Sequence, residues 1–255
     1  MGQALLKGLV EQGVDRRQLI AADADAQTRR IVKQQFRIVT ADDNRQVAER
    51  ADIIVLAIKP QQFPEMIDEL RPHLKSRPLV VSIAAGITLR WLQKRLPRIP
   101  LVRVMPNLPA TVGCGFSAFA AGAKATARHR AMARALFEAV GSVVELPERH
   151  FDAITAVSGS GPAYIFFVVQ AWRDAARSLG LPDAIADAAI HSTVQGSLRL
   201  WQQSRESPDG LIRRVASKGG TTEAALRVLA RRHVTQSLVE AMCAAAHRSR
   251  QLSWS

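Results

Sequence analysis

The stretch DIIVLAI, residues 52–58, is apolar without interruption after its first aspartate. A strand with one wet face would alternate apolar and polar residues. An unbroken run bounded by a breaker, here Pro60, is the pattern of a strand buried on both faces of a parallel sheet. Residues 79–84 again read as a buried strand, and residues 101–105 as a strand stopped by Pro106-Asn107. Working outward, helical and strand periodicities alternate. Helices are predicted at 3–12, 26–35, 44–50, 61–70, 88–96 and 126–140, and strands at 19–23, 37–40, 116–121 and 142–146. Residues 1–147 therefore read as a doubly wound α/β domain.

Beyond Pro147 the strand signal stops. Residues 151–178, 184–203, 222–232 and 234–249 read as long helices, so 148–255 is predicted to be an all-α domain. PAYIFFVVQAW (162–172) is apolar around nearly its whole circumference. Such a helix needs burial on all sides, which a small helical domain cannot supply alone. A homodimer sharing this helix is expected.

Composition narrows the classes. With 255 residues and 47% hydrophobic content, the chain can bury a core. The net charge of +13 invites a nucleic-acid reading. Yet basic residues occur only in short clusters, and aromatics are 5% and not interleaved with arginines. No nucleic-acid partner is expected, and the charge reads as a solvated surface that attracts small anions. Two cysteines exclude a disulfide framework. No apolar run in the sequence reaches span length and no secretory signal is evident, so a cytoplasmic protein without a membrane partner is expected. The six histidines form no metal-ligand spacing, and no metal is expected.

The chemistry-bearing segments follow the buried strands, where open α/β sheets bind ligands. These are AIKP (Ala57, Ile58, Lys59, Pro60), SIAA (Ser82, Ile83, Ala84, Ala85) and MPN (Met105, Pro106, Asn107). Asp23 closes the predicted strand at 19–23. It has two compatible readings: hydrogen bonding to an adenosine ribose, with Arg29 or Arg30 nearby for a 2′-phosphate, or capping of the next helix with Asp25. Gly2, at the start of the first helix, reads as the end of a glycine-rich dinucleotide turn. The first strand and most of that turn are expected to be missing. In the helical half, SKGGTT (217–222) pairs two glycines with two threonines at a helix start. That composition suits an anion seat, with Thr221 or Thr222 capping the helix.

AIKP, VSIAAGIT (81–88), RVMPNLPA (103–110), SGSGPAY (158–164) and the SKGGTT loop occur in this order. Together they resemble the pyrroline-5-carboxylate reductase family along essentially the whole chain. The resemblance implies a Rossmann-like domain joined to a helical dimerisation domain, with dimers that often associate into decamers. It implies reduction of 1-pyrroline-5-carboxylate, a cyclic imino acid, to L-proline by NADPH, with NADH as the other donor. By position, Gly2, Asp23, Asn44, residues 57–60, residues 82–85 and residues 105–107 would bind the cofactor. Ser217, Gly219, Gly220 and Thr221 would hold the substrate carboxylate. Thr222 would hydrogen-bond the ring nitrogen as the catalytic residue.

Reducing an iminium needs no strong Lewis acid, and none of these motifs offers a general acid. Catalysis would rest on orientation and electrostatics, with Thr222 orienting the nitrogen and relaying a proton from water. Lys218 stands where the family usually has proline, and Asp23 where it often has a small polar residue. The rival expectation, motivated by the missing turn, is a catalytically impaired reductase-like protein.

Overall fold

The computed structural model describes residues 1–75 and 77–254. In chain order the elements are α1 (Gly2–Glu11), β1 (Ile20–Ala22), α2 (Ala26–Phe36), β2 (Val39–Ala41), α3 (Asn44–Arg50), β3 (Ile53–Leu56), α4 (Phe63–Leu70), β4 (Leu79–Ser82), α5 (Leu89–Arg95), β5 (Leu101–Met105), β6 (Gly115–Ala121), α6 (Ala127–Glu138) and β7 (Gly141–Glu145). Helices follow: α7 (Phe151–Ile154), α8 (Gly161–Ser178), α9 (Asp183–Gln203), α10 (Pro208–Val215), α11 (Thr221–Arg231) and α12 (Val234–Leu252). The chain divides into two compact units. One comprises Met1–Pro162 with Ala244–Ser255, and the other Ala163–Cys243.

In the first unit, β3, β4 and β5 lie side by side and parallel. Their side chains explain this order. Leu79, Val80, Val81, Leu101, Val102 and Val104 are all buried, and helices cover both faces. One cluster gathers Phe63, Ile67, Trp91 and Leu92, and the other gathers Leu5, Leu9, Phe137 and Val140.

Two features depart from a simple doubly wound sheet. Strand β6 runs antiparallel to β5. The connection from Met105 to Gly115 is too short for a crossover helix, so a reversal is the available geometry. Strands β1 and β2 pair only with each other, as a separate parallel ribbon. The helical half also holds a helix the periodicity did not predict, α10, which is short and opens on Pro208. The predicted helix over 151–178 is broken by a π-turn, Thr155–Gly159.

A buried ion pair ties this unit together. Arg103, in the middle of β5, has a side chain only 5% exposed and donates to Glu148 at 2.8 Å. The same Glu148 oxygen accepts from the Leu89 N–H at 2.8 Å, and the Arg103 guanidinium lies 4.7 Å from the Phe151 ring centre. Strand β5, the start of α5 and the entry to α7 are thereby held at one point. Removing one partner would leave a buried charge uncompensated. Glu148→Ala is expected to lower unfolding stability by about 2–4 kcal/mol, measured by urea denaturation. A loss below about 1 kcal/mol would show that Arg103 finds another partner.

Candidate active site

Parallel neighbours end at the same edge of a sheet. The segments after β3, β4 and β5, residues 57–60, 83–86 and 105–107, therefore emerge together at the carboxyl edge. Gly2 sits beside them: a Cβ on Gly2 would lie 3.3 Å from the Ala57 Cβ. The first turn of α1 carries no acidic residue and no side-chain cap. Its N–H groups and positive dipole end are thus free for an anion at this edge.

The loop after β4 is pinned from behind. Ser82 is fully buried, and its hydroxyl accepts weakly from the Ala84 N–H at 3.4 Å. Ala84 is also buried, Ile83 is half-buried and Ala85 is exposed. Ser82 therefore shapes the loop from within, and Ile83 and Ala85 present its surface. Gly86 has φ +80°, and a Cβ there would lie 2.5 Å from the Leu252 carbonyl oxygen. The Gly86 carbonyl accepts from the Trp254 N–H at 2.8 Å. Thr88 Oγ1 donates to the Trp254 carbonyl at 2.6 Å, and the Trp254 ring meets Trp91 edge-on.

The segment after β5 is held by its own asparagine. Asn107 Oδ1 accepts from the Phe116 N–H at 2.9 Å, and its Nδ2 donates to Ser158 Oγ at 3.2 Å. Met105 reaches the π-turn, since a Cβ on Gly159 would stand 2.7 Å from its methyl carbon. The SGSGPAY segment is thus built against the MPN segment. π-Turns of this kind concentrate at functional sites.

At the end of β1 the two readings of the acidic pair separate. Asp25 takes the cap: it accepts from the N–H groups of Gln27 and Thr28 and from the Thr28 hydroxyl. The Thr28 hydroxyl and these backbone donors hold its carboxyl below the usual range. Asp23 accepts from the Asp25 N–H at 2.9 Å through one oxygen. Arg29 folds over this turn, donating to the carbonyls of Asp23 at 2.7 Å and Ala24 at 2.9 Å. Asn44 opens α3, with its amide 3.5 Å from Glu69.

In the second unit, residues 217–222 form a tight loop into α11. Gly219 has φ +75°. The Gly220 N–H donates to the Ser217 carbonyl at 3.0 Å. The hydroxyl cap expected from Thr221 or Thr222 is absent. Gly220 is the N-cap and carries no side-chain bond, and both threonines lie within the first turn. The Glu223 carboxylate accepts from the Gly219 N–H. Sequence reasoning passed over Glu223, although an acidic residue in the first helical turn is a recognisable start signal.

A cleft of about 260 Å³ lined by Thr88, Arg103, Glu148 and Phe151 contains none of the predicted site residues. Among the described residues no group of three or more His, Cys, Asp or Glu side chains is placed to hold a metal ion.

Comparison with known proteins covers both halves of the chain. The family model for pyrroline-5-carboxylate reductase dimerisation matches residues 148–252, and that for NADP oxidoreductase, coenzyme F420-dependent, matches residues 1–86. The chain is 37% identical to a pyrroline-5-carboxylate reductase of Synechocystis, over 99% of this chain and 94% of that protein. It is 39% identical to one of Pseudomonas aeruginosa, over 99% and 93%. A pyrroline-5-carboxylate reductase structure from Coxiella burnetii superposes with TM-score 0.92 at 33% identity, covering 100% of this chain and 95% of that one. A Plasmodium falciparum pyrroline carboxylate reductase with NADP bound superposes with TM-score 0.91 at 25% identity, with the same coverage.

Asn107→Ala removes two hydrogen bonds and leaves the Phe116 N–H without its acceptor. A stability loss of about 1–3 kcal/mol is expected, read by thermal unfolding. An unchanged midpoint would remove Asn107 from the clamp.

Proposed function

The chain belongs to the pyrroline-5-carboxylate reductase family, and from that premise we propose how its own residues reduce 1-pyrroline-5-carboxylate to L-proline. The carrying observation is the convergence of Gly2 with residues 57–60, 83–85 and 105–107 at one sheet edge, in a chain similar to these reductases over its full length. The rival expectation of a catalytically impaired relative finds no support in the comparisons.

The uncapped start of α1 and the small residues around Ala57 and Ala85 fit a dinucleotide. When bound, NADPH supplies the hydride. Gly2 and residues 57–60 would hold its phosphates, and residues 82–85 and 105–107 would line the place of the nicotinamide. Arg29, braced on the Asp23 and Ala24 carbonyls, would favour the 2′-phosphate of NADPH over NADH, while Asp23 and Asn44 would serve the ribose. Ser217, Gly219, Gly220 and Thr221 hold the substrate carboxylate, and Thr222 orients the ring nitrogen. Thr222 is too weak an acid to be the ultimate proton source, so it passes on a proton from water. The chain's contribution is thus orientation and charge stabilisation.

Residues 148–255 form the dimerisation and substrate domain of this proposal. Phe167 is 73% exposed, and Ile165, Phe166 and Trp172 are exposed beside it on α8. The Tyr164 hydroxyl is buried with no hydrogen-bond partner among the described residues. Both features suit a second copy. Within the helical run Glu148–Ser178 an 18-residue window has mean hydropathy 1.3, which meets the length and composition of a membrane span, a property the uninterrupted apolar runs of the sequence did not reveal. It lies within the dimerisation match, and we read its apolar surface as the subunit interface of a cytoplasmic homodimer. Assembly of five dimers into a decamer accompanies the family resemblance.

Thr222→Ala is expected to lower kcat/KM for the imino acid about tenfold, or ~1.4 kcal/mol; unchanged kinetics would take Thr222 out of the mechanism. Arg29→Ala is expected to raise KM for NADPH about tenfold with little effect on NADH, as loss of a charge-assisted phosphate contact requires. Equal effects on both cofactors would refute that assignment.

A further inference from the structure

The loop that the preceding reading assigns to the substrate carboxylate already holds a carboxylate of its own. Glu223, in the first turn of α11, turns back and accepts from the Gly219 N–H. The Gly220 N–H is bound to the Ser217 carbonyl, and the Ser217 hydroxyl fills the space where a Gly220 Cβ would stand, 2.5 Å away. Two of the donors expected to receive the substrate are therefore taken within the chain. The Thr221 and Thr222 N–H groups, at the first two helical positions, have no acceptor inside the helix.

We infer that Glu223 is a resident competitor for the carboxylate seat and sets its affinity for the substrate. One N–H cannot serve two carboxylates, and two like charges on one turn repel. Substrate entry must displace the Glu223 side chain from Gly219 or bind against its charge on Thr221 and Thr222 alone. Either route weakens binding of any ligand that carries a carboxylate. It leaves untouched a ligand that lacks one. The inference rests on the assignment of residues 217–222 to the substrate carboxylate.

The test compares KM for 1-pyrroline-5-carboxylate with KM for 1-pyrroline, which has no carboxylate, at saturating NADPH in the full chain. Glu223→Gln, which removes the charge, is expected to lower the first about threefold or more and to leave the second unchanged. Glu223→Asp keeps the charge but falls one methylene short of Gly219, and should also lower it. Normal KM values in Glu223→Gln would overturn the inference. So would a Glu223→Asp variant that behaves like the parent, because long-range charge would then be the cause. A rise in both KM values with a fall in melting temperature would leave Glu223 as a helix cap only, and would equally overturn it. Gly220→Ala tests the underlying assignment separately. By displacing Ser217 it should raise KM for the carboxylate substrate alone. If it does so while Glu223→Gln has no effect, only the inference fails. If Gly220→Ala changes neither KM, the seat lies elsewhere and both fail.

Discussion

Three parallel strands ending at one edge are the constraint on which the cofactor side of this molecule depends. Strands β3, β4 and β5 can be neighbours because their residues are apolar on both faces. Parallel neighbours in turn deliver the segments after them to the same side. No catalytic logic is needed to explain why residues 57–60, 83–86 and 105–107 meet; burial of Leu79, Val81, Val102 and Val104 is sufficient. What function adds is the composition of the ends: small residues at Ala57 and Ala85, a glycine at Gly86 that admits the backbone of Leu252, and an asparagine at 107 whose side chain is spent on holding the loop to Ser158.

The charge distribution follows the same economy. Arginines dominate the basic residues, yet the one buried among the strands, Arg103, is neutralised by Glu148 and faces Phe151. Arg29 is used differently. Its guanidinium braces a turn through two carbonyls at the end of β1, within Coulomb range of the Asp25 carboxylate. A fixed positive charge there is suited to a phosphate, because the carbonyl contacts orient the group before the ligand arrives.

Legibility from sequence differed by element. The run at 52–58 announced its strand because burial on both faces leaves a continuous apolar signature. Strand β6 was found, but its reversed direction was not. Periodicity reports which faces are buried, not which way the chain runs, and only the short connection after Met105 decides that. The π-turn at 155–159 was invisible inside a helical pattern, because one extra residue per turn barely disturbs the spacing. Helix α10 was too short to show a period. The motif segments of the site were legible, whereas their internal bonding was not. That Asp25 rather than Asp23 caps α2, and that Glu223 turns back onto Gly219, depend on side-chain reach. The apolar circumference of α8 was legible too, and Phe166 and Phe167 on it are exposed.

The central claim is that this chain of 255 residues holds a working cofactor edge and a working substrate loop. The most direct measurement follows the loss of NADPH absorbance by the purified chain with 1-pyrroline-5-carboxylate, with proline quantified in parallel. The account predicts saturable NADPH consumption that requires the imino acid and yields one proline per cofactor oxidised. Dimeric, folded protein that consumes no NADPH under these conditions would contradict it.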